Sequence, residues 1–256
     1  IAVLLSRSLI ISCGVLFISS VVVFMLNEYH YWFAEDKYFF EFKWKNIICL
    51  VKDVTPLFIG AFIMMYISNA PKYAINGIYN DEIQNIYNIL FMPAFVINLF
   101  STFIFRPLLI RMAVIVEKKD YIGFLKIFGK MYIVIIGITL AAMLGSWFLG
   151  IPILSIIYGV NLTSYRNQLV MVMVCGGISA LMTFSYYSIT VIRKQKWLLI
   201  GYATAFIFAA LITRLLVKRF GINGAILAYG ASIGIIVVIF TATILTFVIK
   251  GRKKNG

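Results

Sequence analysis

Among the charged residues within or at the ends of long apolar stretches of this 256-residue chain, Asp53, Lys72 and Arg106 are the candidates for chemistry. Ionisable side chains in such surroundings are expensive, and they mark binding or transport paths by default. Lys72 directly follows Asn69-Ala70-Pro71, where proline can break a helix. A broken helix end beside a cavity offers backbone groups to a polar ligand. Asn69, Tyr73, Tyr66 and Asn98 are candidate polar or aromatic contacts to such a ligand. The alternative for Lys72, and for Arg106 before Pro107, is snorkelling, with the stem in lipid and the charge at the interface. Asp53 is a carboxylate that could couple to a proton or Na⁺, or a solvated residue near a helix start. Its neighbour Lys52 is no partner, because adjacent helix residues do not face each other. The tyrosines have packing or an interfacial belt as their alternative role.

These residues must be positioned by helices in a bilayer. Apolar residues make up 62% of the chain, and a span needs roughly 20 of them in a row. Seven stretches qualify, at about 8–26, 47–68, 86–109, 131–149, 169–191, 197–216 and 222–249. They are continuous runs rather than the short alternating segments of a barrel. The expectation is therefore an all-α integral membrane protein with about seven transmembrane helices. The longest linker, 27–46, is rich in aromatics and lysines, which suits the headgroup level. Small residues from Gly221 to Ser232 suit a tight turn followed by a close-packing helix face.

The net charge is +14. Nucleic acid is not the expected partner, because the basic residues sit in short loops between apolar runs. One set of loops carries 15 Lys and Arg and the opposite set carries 6. The positive-inside rule puts the first set, with the C-terminus, in the cytoplasm. Cys13, Cys49 and Cys175 have no pairing or metal-ligand spacing, and His30 has no His or Cys ligand partner nearby. No metal or cofactor is expected. A nucleotide-binding Gly-Lys-Ser/Thr loop is also missing, and no catalytic cluster stands out. The reading is a transporter rather than an enzyme.

Two stretches carry a family resemblance. The first is Phe220-Gly221-Ile222-Asn223-Gly224-Ala225 with Ala228. The second runs from Ser68-Asn69-Ala70-Pro71-Lys72-Tyr73-Ala74-Ile75 through Phe91-Met92-Pro93-Ala94-Phe95 to Phe105-Arg106-Pro107-Leu108. The turn Ile156-Ile157-Tyr158-Gly159 fits the same pattern. Together they resemble the O-antigen and capsule type of oligosaccharide-lipid flippase. That type belongs to the multidrug/oligosaccharidyl-lipid/polysaccharide exporter superfamily. The resemblance implies two six-helix lobes around a central cavity, with both termini cytoplasmic. Residues 1–26 would then be the last helix of the first lobe and 27–46 a cytoplasmic interlobe linker. Residues 47–249 would be the six-helix second lobe and 250–256 a basic cytoplasmic tail. The chain reads as the C-terminal part of a longer protein.

The implied activity is translocation of lipid-linked oligosaccharide repeat units across a bacterial plasma membrane, for surface polysaccharide biosynthesis. The implied partners are a polyprenyl-diphosphate-linked oligosaccharide, membrane lipids and other polysaccharide assembly proteins. On this reading Lys72 and Arg106 hold phosphate, Asn69 and Tyr73 contact the headgroup, and Asp53 couples an ion. The alternatives are a cation-coupled drug or small-molecule exporter of the same superfamily, and a membrane fragment or structural subunit that does not transport.

Overall fold

The computed structural model describes the backbone of residues 9–32 and 44–255. Side chains are described there except at 9–12, 27–32, 45–46, 49, 52–54, 56–57, 106 and 252–255. Helices and short turns account for all of this, as the continuous apolar runs require. The chain divides into two units, residues 1–49 and 50–256. In the first, α1 spans Leu9–Trp32. Its Ser19 and Ser20 hydroxyls donate to the Leu16 carbonyl at 2.9 and 2.8 Å, which satisfies them within their own apolar helix. The second unit begins within α2 (Trp44–Asn76) and continues with α3 (Asp81–Glu117) and α4 (Tyr121–Gly145). A π-turn at Ser146–Gly150 leads into α5 (Ile151–Tyr158). A 3₁₀ turn, Thr163–Tyr165, precedes α6 (Arg166–Val191), and α7 covers Lys196–Asn255.

Among the described residues, four helical segments are long and apolar enough to cross a membrane: Asp81–Phe105, Tyr121–Tyr158, Thr163–Val191 and Lys196–Gly251. The last of these is a hairpin. Gly221 breaks it with φ 58° and ψ −132°, a conformation that favours glycine. Gly224 then passes so close to the Leu216 carbonyl that a Cβ there would collide with backbone. Further along, Gly201 packs on Phe240, and the Tyr202 and Phe240 rings meet edge to face at 5.6 Å. Residues equidistant from Gly221 therefore face each other, and the arms 196–220 and 222–255 run antiparallel.

The helices reach further than the apolar runs. Expected at 86–109, α3 runs from Asp81 to Glu117, and its acidic first turn complements the helix dipole. α4 starts at Tyr121 rather than 131, because Asp120 caps it by accepting from the Gly123 amide at 2.9 Å. The expectation that Pro71 breaks a helix is corrected. α2 continues through a buried Pro71 to Asn76, and α3 continues through Pro93 and Pro107. Each proline removes one backbone donor, a loss that membrane helices absorb through their neighbours.

α6 is the central helix. It buries 13 of its 26 residues, spread around its circumference, whereas α4 buries one stripe of Phe124, Phe128, Met131 and Ile135. Three consecutive residues explain the difference, since each points about 100° from the last. Cys175 meets the second arm of α7, its thiol donating to the Ile226 carbonyl at 3.6 Å. Gly176 meets α3, where a Cβ would stand 3.2 Å from the Ala94 Cα. Gly177 meets α4, where a Cβ would collide with Thr139. Nearer the other end of α6, the Tyr132 hydroxyl bonds Ser185 and Thr241 at 2.7 Å each, tying α4, α6 and α7 together. Phe128 and Phe184 stack beside it at 5.5 Å.

Many of the basic residues collect at one end. The α3–α4 turn carries Lys118 and Lys119, and the α6–α7 turn carries Arg193 and Lys194. The close of α7 reaches the same end, where Gly251 packs on Tyr121 and the Tyr121 and Phe247 rings lie 5.7 Å apart. At the opposite end, the Tyr79 hydroxyl donates to the Val217 carbonyl at 3.5 Å, joining the α2–α3 turn to the hairpin.

Three substitutions test this packing through stability in detergent. Gly176→Val should cost about 1–3 kcal/mol, because the Ala94 backbone cannot move aside. Gly137→Ala, where nothing lies within 4 Å of an added methyl, should leave the thermal midpoint unchanged or raised. Equal loss in both would contradict close packing at Gly176. Tyr132→Phe should cost about 1 kcal/mol, since hydrogen bonds between membrane helices are modest.

Candidate functional site: a basic and aromatic recess between α2 and α7

α2 and the first arm of α7 run side by side in the same direction. Gly60 lies against Tyr202, and the Tyr66 and Phe206 rings pack at 4.9 Å. Beyond that aromatic pair the facing residues become small. Ala70 and Ala74 of α2, with Gly77 in the turn just after it, oppose Ala209 and Ala210 of α7. The rings hold the helices apart and the short side chains leave the gap unfilled, so a recess of about 360 Å³ opens. That lies within the roughly 300–1,000 Å³ of small-ligand sites.

The polar lining comes from Tyr66 and Tyr73 on one wall and Thr213 and Arg214 on the other. Tyr66, Ala70 and Tyr73 recur at helical spacing and form one stripe of α2, and Gly77 follows in the turn. Arg214 stands seven residues before Gly221, about 10 Å from the hairpin turn by helical rise. Its guanidinium can take two oxygens of an anion at once. None of the described residues lining the recess is acidic. The arrangement can therefore accept an anion, with two phenols beside it for stacking or hydrogen bonding.

Thr213 adds a distinguishing detail. Many serines and threonines in these helices return their proton to a carbonyl one turn back, as do Thr102, Thr139, Thr183, Ser188 and Ser232, although Ser101 of α3 does not. Thr213 is buried, and its hydroxyl has no partner. A buried hydroxyl left unbonded is costly in an apolar setting.

A second, smaller cavity of about 150 Å³ lies between α2, α3, α6 and the second arm of α7. Ser68, Asn98, Ser179 and Tyr229 are its polar lining. The Asn98 amide donates to Ser179 Oγ at 3.4 Å, while its Oδ1 is buried without a partner.

The residues selected from the sequence fall in different places. Tyr73 lines the recess and is 60% exposed. Tyr66 joins it there, and Asn98 lines the second cavity. Lys72 is half-buried on the other flank of α2, about 130° around the helix from the middle of the recess stripe. Asn69 is half-buried and donates to the Met65 carbonyl at 2.9 Å. The side chains of Asp53 and Arg106 lie outside those described. Arg214 and Thr213 were not among the residues selected. Arg214 counted among the loop charges, although the apolar run 197–216 contains it. Three basic residues within six positions, Arg214, Lys218 and Arg219, concealed that the first belongs to the helix.

Comparison with protein-family models, curated proteins and solved structures finds no match.

The unbonded hydroxyl yields a direct expectation. Thr213→Val should leave the thermal midpoint in detergent unchanged or slightly higher, because it removes an unsatisfied buried polar atom. A loss above about 1 kcal/mol would show that the Thr213 hydroxyl is hydrogen-bonded after all.

Proposed function

We propose that this chain is part of an alternating-access flippase for lipid-linked oligosaccharides. The observation that carries the reading is the recess itself. A guanidinium, two phenols and a hydroxyl line it, and no described lining residue is acidic. A diphosphate needs a cation able to bind two oxygens, and sugars need aromatic faces and hydroxyl partners. Arg214 suits the first requirement, and Tyr66, Tyr73 and Thr213 suit the second. The lipid tail would stay outside, along apolar residues such as Ile207 and Leu211, which are exposed on the same arm of α7.

In this reading α1 is the last helix of one lobe. α2, α3, the α4–α5 segment, α6 and the two arms of α7 form the six-helix second lobe, seven spans in all. Rocking of one lobe against the other would present the substrate to each side in turn. Lys72 and Arg106 remain candidates for guiding the phosphates, Asn69 for the headgroup and Asp53 for ion coupling. Lipid-linked oligosaccharide, membrane lipids and polysaccharide assembly proteins are the partners, and a bacterial plasma membrane is the location. The basic end, with the C-terminus, would be cytoplasmic. A cation-coupled drug exporter is disfavoured, because cationic substrates call for acidic cavity residues.

The test is genetic and biochemical. In the native cell, loss of the parent gene should leave completed lipid-linked repeat units on the cytoplasmic face, and wild type should clear them. Arg214→Ala, at normal membrane abundance, should reduce clearance roughly ten- to a hundredfold, the cost of one charge-assisted hydrogen-bond set. Lys72→Ala and Arg106→Ala, measured alongside, tell whether either shares the path. Normal export without the gene would sink the reading. Orientation has its own check: Lys218→Cys should react with a membrane-impermeant maleimide in intact cells, and Lys118→Cys should react only after lysis.

A further inference from the structure

A second recess, of about 390 Å³, lies at the basic end, far from the α2–α7 recess. The start of α7 brings Trp197 to it, and the preceding turn brings Lys194. The close of α7 brings Thr243, Thr246, Phe247 and Lys250. Both walls are held in place by backbone features. Arg193 adopts a left-handed φ of 55°, and the Lys194 amide donates back to the Ile189 carbonyl at 3.2 Å, so the turn is fixed. On the other wall, Gly251 packs on the Tyr121 ring, a contact that any larger residue would disrupt.

The chemistry of the lining is selective. Two ammonium groups from separate segments supply positive charge, and no described lining residue is acidic. Both threonine hydroxyls already donate to their own helix, Thr243 to the Ile239 carbonyl and Thr246 to the Thr243 carbonyl, each at 2.8 Å. They therefore present lone pairs and suit a ligand that brings its own hydroxyl donors. The recess lies beside apolar surface: Trp197 is 47% exposed, and Ile200 and Ile207, deeper along the same arm, are exposed too. Tryptophan at a span end sits at headgroup level, and basic pockets between helices at a charged membrane face suit anionic headgroups.

We propose that this recess is a site for an anionic phospholipid whose headgroup carries free hydroxyls. Lys194 and Lys250 hold its phosphodiester, Thr243 and Thr246 accept from the headgroup hydroxyls, and the acyl chains lie along Trp197, Ile200 and Ile207. Phosphatidylglycerol has this chemistry. Phosphatidylcholine lacks the donors, and its quaternary ammonium meets two lysines. The two recesses share no lining residue, and the argument for this one does not draw on the transport reading.

The test is native mass spectrometry of the full chain in detergent, titrated with dioleoyl phosphatidylglycerol and dioleoyl phosphatidylcholine. The first phosphatidylglycerol should bind about tenfold more tightly than phosphatidylcholine. Lys194→Ala with Lys250→Ala should abolish that preference. Lys118→Ala with Lys126→Ala removes the same charge from exposed positions at the same end and should preserve it. Equal loss in both double variants would overturn the proposal in favour of general charge attraction. Persistence of the preference without Lys194 and Lys250 would also overturn it. Displacement of bound phosphatidylglycerol by millimolar inorganic phosphate would overturn it in favour of a soluble anion. Thermal midpoints measured for each variant show that it is folded during the comparison.

Discussion

The second unit depends on how closely three helices can approach α6 at Cys175-Gly176-Gly177. Lipid tails are as apolar as leucine, so no hydrophobic force drives helices together inside a bilayer. Association has to come from contact, and contact needs small residues. At this triplet the helical repeat turns each side chain to a different neighbour: the second arm of α7, then α3, then α4. Any of the three helices would be displaced by a larger residue at its position. Because α6 is surrounded there, the positions of α3, α4 and the hairpin are set relative to one axis. The Tyr132–Ser185–Thr241 bonds and the stacked Phe128 and Phe184 then fix the same helices nearer the basic end.

The same physics explains where the bundle is open. Between α2 and the first arm of α7, small residues occur on both sides while Tyr66 and Phe206 act as a spacer. Small residues at α6 bring backbones together. At the recess they leave a gap, because a bulky pair nearby prevents closure. Residue size alone is therefore ambiguous, and the neighbouring large side chains decide the outcome. Thr213 illustrates the consequence for polar groups. Its helix could have satisfied it as others satisfy Thr139 or Thr183, yet its hydroxyl is left unbonded beside an arginine.

Charge is distributed as unevenly as packing. The turns bearing Lys118, Lys119, Arg193 and Lys194 lie at one end with Lys250, while Arg166, Lys218 and Arg219 belong to the other. The basic end has both a crowd of solvated lysines and a bounded recess between Lys194 and Lys250. A topology signal requires only net charge near the membrane. A headgroup site also requires walls, and those come from the fixed turn at Arg193 and the seating of Gly251 on Tyr121.

The sequence by itself determined the class of the protein. Continuous apolar runs can satisfy their backbones in lipid only as helices, and the small residues after Gly221 announced a turn and a packing face. Tyr66, Tyr73 and Asn98 were also legible as candidates, since polar or aromatic groups in such runs stand out. Helix ends were less legible, because hydropathy marks the membrane-immersed part of a helix and not the hydrogen-bonded whole. α4 thus begins at its Asp120 cap, ten residues before its apolar run, and Pro71 failed to end α2. Only the tertiary structure decided that Arg214 and Tyr73 share a recess while Lys72 turns to another flank. Residues 73 and 214 are brought together by two parallel helices kept apart by an aromatic pair. That separation is a property of the packing between them, and no one-dimensional pattern encodes it.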